Sequence, residues 1–195
     1  ITRKVGPALA AGCAMVVKPS EATPLSALAL EALAAQARIP ADIFRVVPSP
    51  EPAQVGSLFC SHPVIRKISF TGSTPVGKLL LAQAAGSVKR VSMELGGNAP
   101  FVVLDDANID EAVKGLMLAK MRNGGAACTA ANRIYVHKKI AQEFTSKFSK
   151  AMSELKMAPG RESGAQLGAS VSIKERDKIA QLVESSVKGG AKVET

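Results

Sequence analysis

Val64-Ile65-Arg66-Lys67-Ile68-Ser69-Phe70-Thr71-Gly72-Ser73-Thr74 begins as a largely apolar run and ends on a glycine set among hydroxyls. Val64–Phe70 predicts a buried strand, and the helix formers from Pro75 to Ala85 predict a helix. Val88–Met93 predicts the next strand. Strand, glycine turn, helix, strand is a crossover unit, which implies α/β architecture with a parallel sheet. Ligands of such sheets bind at the carboxyl ends of the strands, where Gly72 falls.

The same alternation extends upstream. Ile1–Ala11 predicts a helix that Gly12 can end. Ala14–Val17 predicts a strand. Thr23 followed by Pro24 predicts a capped helix start, with Leu25–Ala37 as the helix. Ile43–Val47 is the next strand. Pro48, Pro50 and Pro52 form a connector, and Ala53–Ser61 is a helix. After Val88–Met93 the pattern breaks at Glu94-Leu95-Gly96-Gly97-Asn98-Ala99-Pro100, which places a domain boundary between residues 1–94 and 95–195. Phe101–Leu104 and Arg133–His137 then read as strands. Ile109, Val113, Leu116 and Met117 mark one helix; Ile140, Phe144, Phe148 and Met152 mark another. Pro159–Gly168 is a loop. A last helix through Ile173, Ile179, Leu182 and Val183 closes at Gly189-Gly190, and Lys192–Glu194 begins a strand.

Composition narrows the class. The 195 residues are 47% hydrophobic and 21% charged, enough apolar content for a core and too little charge for disorder. No apolar run reaches the roughly 18 residues of a spanning helix; Val5–Val17 is short and bracketed by Lys4 and Lys18. The net charge is +9, but the 25 Lys and Arg are spread along the chain, with one Tyr and no Trp for stacking bases. This argues against a nucleic-acid partner. Cys13, Cys60 and Cys128 have neither metal-ligand nor disulfide spacing, which fits a reducing intracellular compartment. Cys13 and Cys60 read as small packed hydrophobes.

Four places could carry chemistry. Cys128 stands in Met121-Arg122-Asn123-Gly124-Gly125-Ala126-Ala127-Cys128-Thr129-Ala130-Ala131-Asn132-Arg133. A thiol in a small-residue loop near a helix N-terminus would be an activated nucleophile, against the alternative of a buried inert cysteine. Glu94, ending an apolar strand, is either a partly buried general base or an exposed loop carboxylate. The Gly72–Ser73 junction is a phosphate cradle or merely a tight turn; its spacing to Gly77 fits neither the Gly-x-Gly-x-x-Gly fingerprint nor a Walker loop. Lys18 and Glu21 either hold ribose hydroxyls or are solvated loop charges.

Taken together, Lys18-Pro19-Ser20-Glu21, Phe70-Thr71-Gly72-Ser73-Thr74, Met93-Glu94-Leu95-Gly96-Gly97 and the Cys128 loop resemble the aldehyde dehydrogenase superfamily in order and spacing, across essentially the whole chain. Ile1-Thr2-Arg3-Lys4 and Lys89-Arg90-Val91-Ser92-Met93-Glu94-Leu95-Gly96-Gly97 look like the succinate-semialdehyde dehydrogenase branch. The resemblance implies the C-terminal part of a Rossmann-like NAD(P)-binding domain in 1–94 and the N-terminal part of a catalytic domain in 95–195. It implies that Cys128 attacks the aldehyde to give a thiohemiacetal, that hydride loss leaves a thioester, and that Glu94 activates the hydrolytic water. The Cys128 amide would donate to the oxyanion. Lys18 and Glu21 would hold the adenosine ribose, Gly72 and Ser73 would serve the pyrophosphate, Leu95 would lie near the nicotinamide, and Ser20 would also bind the cofactor. Arg3 and Arg122 would hold the substrate carboxylate. The cofactor would be NAD or NADP, with Glu21 favouring NAD by repelling a 2′-phosphate. No metal is implied. The implied partners are a small aldehyde and further copies of the protein in a tetramer or dimer, and the implied compartment is cytoplasmic or mitochondrial.

Two departures stand out. Ala126 occupies a position where family members usually carry Gln or Glu, and Ala130 occupies the place of the second cysteine some members have, so no redox disulfide is expected there. The chain opens on Ile1, not Met. The resemblance places the family's oxyanion asparagine before Ile1 and its Glu-Phe ribose segment after Thr195, so the 195 residues alone are expected to turn over poorly or not at all. The alternatives are a relative acting on another aldehyde and a non-catalytic structural descendant. Retention of Glu94 and Cys128 speaks against the second.

Overall fold

A computed structural model describes residues 1–195. The elements run α1 (Thr2–Ala10), β1 (Met15–Val17), α2 (Leu25–Gln36), β2 (Phe44–Val46), α3 (Pro52–Ser61), β3 (Lys67–Thr71), α4 (Thr74–Ala85), β4 (Arg90–Glu94), β5 (Ala99–Val103), α5 (Ile109–Met121), β6 (Ala131–Val136), α6 (Ala141–Ser153) and α7 (Ile173–Lys188), with a 3-10 turn at Arg122–Gly125. The expected α/β architecture holds, and every strand pair is parallel: β1 with β2, β3 with β4, β5 with β6. The chain forms two compact units, Ile1–Leu95 and Gly96–Thr195.

Ile1–Leu95 has two apolar centres. Val5, Ala27, Phe44 and Val46 gather under β1 and β2, and Cys60, Ile68 and Ala84 gather under β3. The β3–β4 ladder aligns Lys67 with Arg90 at one end and Thr71 with Glu94 at the other. It thus delivers the two chemically loaded strand ends side by side. In Gly96–Thr195 the core is Val103, Val113, Leu116, Ala131 and Phe144. The α6 stripe packs as its spacing predicts, with Phe144 buried and its ring stacked on Phe148 at a centroid distance of 6.1 Å. The Asn108 side chain caps α5 by accepting from the Glu111 N–H at 3.1 Å. Asp110 and Glu111 in the first turn and Lys120 in the last complement the helix dipole.

Several boundaries differ from expectation. Thr23 does not cap α2; Pro24 already has helical angles, and its carbonyl accepts from the Ala27 and Leu28 N–H groups. β4 starts at Arg90 because Val88 sits at φ 49°, in the left-handed region. β3 starts at Lys67, after a turn through Pro63 and Val64. Lys192–Glu194 is not a strand, since nothing in the chain pairs with it. Cys13 is exposed rather than packed, because it follows the left-handed Gly12 that ends α1.

Candidate active site

Within Ile1–Leu95 the expected cofactor residues fall at strand ends. Just past β1, the Lys18 amine pairs with the Glu21 carboxylate and donates to the Pro19 carbonyl at 2.7 Å. That hydrogen bond from Lys18 holds the Glu21 carboxyl below its usual range. The Ser20 hydroxyl accepts from the Ala22 N–H at 3.4 Å. At the end of β3, the Gly72 N–H donates to the Glu94 carbonyl at 3.0 Å, extending the ladder by one rung. A Cβ at Gly72 would press on the Phe70 ring, so only glycine fits that turn without moving it. Ser73 is the N-cap residue of α4, yet its hydroxyl makes no capping bond. Leu95 lies against Gly77 in the first turn of that helix, where a Cβ would meet it at 2.5 Å. Gly72, Ser73, Glu94 and Leu95 are thus neighbours. An uncapped hydroxyl and backbone amides at the start of a 12-residue helix suit an anionic group.

The Glu94 side chain is exposed, the second of the two alternatives its place at a strand end leaves open. Glu94 is the last residue of β4, and the open Leu95-Gly96-Gly97 segment beyond it provides no cover. Arg3 stands exposed in the first turn of α1.

Within Gly96–Thr195 the cysteine loop is built on backbone geometry. Asn123, Gly124 and Gly125 have φ values of 55°, 63° and 78°, three successive left-handed residues that end the helical path from α5. The Asn123 Nδ2 donates to the Ala126 carbonyl at 3.0 Å, and the Ala126 N–H donates to the Asn123 carbonyl at 3.1 Å. Cys128 then lies exposed in the turn from Ala127 to Ala130, whose N–H and C=O close at 3.0 Å. No helix begins there. The glycines are a helix-ending turn, so the expected N-terminal dipole at the sulfur is replaced by an open loop.

A strap crosses this loop. Gly97 runs so close to the Cys128 carbonyl that a Cβ on it would collide. The strap is tied down by Arg133 Nε donating to the Asn98 carbonyl at 2.8 Å and by Asn132 Nδ2 donating to the Gly97 carbonyl at 3.4 Å. Beside the loop lies a cavity of about 260 Å³, lined by Gly115, Leu118, Ala119, Arg122, Ala127 and Thr129. Arg122 forms no ion pair and touches one side-chain acceptor, the Thr129 hydroxyl at 3.4 Å. An exposed thiol whose two chain neighbours line a cavity with an unneutralised guanidinium suits an electrophile with an anionic tail.

The sequence profile of the aldehyde dehydrogenase family matches residues 1–195. This chain belongs to the aldehyde dehydrogenase family. It is 52% identical over 193 residues to the 3-sulfolactaldehyde dehydrogenase of Pseudomonas putida, covering 99% of this chain and 40% of that one. It is 51% identical over 198 residues to the mitochondrial succinate-semialdehyde dehydrogenase of Mus musculus, covering 100% and 38%. Among solved structures, an aldehyde dehydrogenase from Brucella melitensis biovar abortus 2308 superposes with a TM-score of 0.95 at 47% identity, covering 100% of this chain and 40% of that one. The chain therefore spans about 40% of the length of the relatives it matches.

For an aldehyde dehydrogenase chain, one further residue stands out that the sequence did not flag. Lys4, in α1, has a buried amine with no hydrogen-bond partner. Burial lowers its pKa, partly offset by the charge of Glu94. The available signal was the absence of any acidic residue in the first 20 positions to pair it.

Proposed function

We propose that this chain carries the nucleophile and the general base of an NAD(P)-dependent aldehyde dehydrogenase acting on a short aldehyde with an anionic far end, succinate semialdehyde first. One observation carries the substrate reading: the exposed Cys128 stands between Ala127 and Thr129, which line the same cavity as Arg122, a guanidinium with no counter-charge. The substrates named for two relatives, 3-sulfolactaldehyde and succinate semialdehyde, each join an aldehyde to an anion, which supports the same class. An aldehyde lacking the acid would leave the guanidinium unpaired, a strong basis for discrimination.

In this reading the Cys128 thiolate adds to the aldehyde carbon, and the Cys128 N–H donates to the developing oxyanion. NAD or NADP, when bound, would supply the hydride acceptor for oxidation of the resulting thiohemiacetal. Lys18 and Glu21 would hold its adenosine ribose and Gly72 and Ser73 its pyrophosphate, Leu95 would lie near the nicotinamide, and Ser20 would add a further cofactor contact. The free Ser73 hydroxyl and the Gly72 turn, which leaves no room for a Cβ, fit that group. Glu94 removes a proton from the water that cleaves the thioester. Arg122 and Arg3 anchor the substrate anion. Glu21 favours NAD over NADP. Exposed Val76 and Leu79, one turn apart on α4, leave apolar surface that a second copy would cover in a dimer or tetramer. Three unpaired cysteines support a reducing interior, cytoplasmic or mitochondrial.

The test is a comparison of kcat/KM in the full-length enzyme for succinate semialdehyde and butanal, with NAD and with NADP. A large preference for the acid-bearing aldehyde is expected; equal values would overturn the substrate reading.

A further inference from the structure

We propose that Thr129 is a positioning and specificity residue for the anionic end of the substrate, acting through and beside Arg122. The inference rests on the proposed anionic-aldehyde function. Four of the six residues around the cavity are Gly115, Leu118, Ala119 and Ala127, which offer no side-chain hydrogen bond. Arg122 and Thr129 are the two that do. Arg122 Nη2 donates to Thr129 Oγ1 at 3.4 Å, and no carboxylate lies within ion-pair distance of the guanidinium.

Two consequences follow from the chemistry of these groups. A guanidinium has five N–H donors in a rigid plane, so the long contact to Thr129 places the two groups side by side and leaves the other donors for an anion. A hydroxyl that accepts from Arg122 has its own proton free to point elsewhere. Guanidinium N–H and threonine O–H can then donate to the same carboxylate or sulfonate. Thr129 is bonded directly to Cys128, so the anion site and the nucleophile share one turn. A movement of the loop would therefore shift both together.

The experiment uses the full-length enzyme and the variants Thr129→Val and Thr129→Ser. Valine keeps the shape and removes the hydroxyl. Thr129→Val is expected to raise KM for succinate semialdehyde about tenfold, as loss of a hydrogen bond to a charged group implies. Its kcat for that substrate and its KM for butanal are expected to stay within about twofold of the parent. Thr129→Ser is expected to restore KM. An unchanged KM for succinate semialdehyde in Thr129→Val overturns the proposal. So does an equal loss on both aldehydes, which would make Thr129 a support of the Cys128 loop alone. The parent enzyme's own preference reports separately on the underlying function: no preference for the acid-bearing aldehyde would remove that reading whatever Thr129 does.

Discussion

At the end of β3 the chain turns on Gly72, whose N–H donates to the Glu94 carbonyl and so continues the ladder with β4. Ahead of Cys128 it turns on Asn123, Gly124 and Gly125, and no ladder continues. The first turn inherits its geometry from a strand pair with an apolar centre beneath it. The second is held by local bonds from Asn123 and by the Gly97 strap pressed on the Cys128 carbonyl. A cofactor phosphate needs donors fixed in advance, which a sheet edge provides. A nucleophile must reach its substrate, and a locally braced loop allows that at lower cost.

Substitutions can break or sharpen this contrast. The largest effect is expected at the nucleophile: Cys128→Ala should lower kcat of the full-length enzyme by ~10³-fold or more while leaving cofactor binding unchanged. Steady-state rates with fluorescence titration of NADH check both halves. Next is the strap. Gly97→Ala places a methyl against the Cys128 carbonyl, and overpacking of that kind costs about 1–3 kcal/mol, read as a lower unfolding midpoint in urea. Asn123→Ala removes the bond to Ala126 and a residue type that tolerates left-handed angles, at a cost of about 1 kcal/mol. The same denaturation series reads it.

The smallest effect concerns pH. Burial holds the Lys4 amine below its ordinary value of 10.5. The unfolded chain therefore binds more protons between the folded and unfolded pKa values, and stability rises with pH through that window. Below it the burial penalty is fully present. Lys4→Met should flatten this alkaline rise, measured by urea unfolding at stepped pH values.

The fold was largely legible because β3, α4 and β4 announce themselves by apolar runs and a glycine junction, features local to the sequence. What escaped depended on contacts far along the chain. Nothing near Gly97 signals that its backbone will meet the Cys128 carbonyl, 31 positions away by subtraction of the two residue numbers. Lys4 reads as a polar helix position until packing buries its amine. The glycines before Cys128 are visible in the sequence, but left-handed glycine marks a helix end more readily than a beginning, and here it ends the path from α5 instead of starting a helix at the sulfur. The sequence leaves Glu94 open between sheltered and exposed, because an apolar strand precedes it but strand-terminal side chains are covered only if something follows that covers them.

The central claim is that Cys128 is the nucleophile, and the contrast with Cys60 sharpens it. Cys60 is buried, its thiol directed at the Leu80 carbonyl and pushed up in pKa by desolvation, whereas Cys128 is open to reagents. The most direct measurement is rapid-quench peptide mass spectrometry of full-length Glu94→Gln enzyme mixed with succinate semialdehyde and cofactor. The expected result is a succinyl thioester accumulating on the peptide that bears Cys128. A full-rate enzyme with no acyl adduct, or an adduct on Cys13 or Cys60, would contradict it.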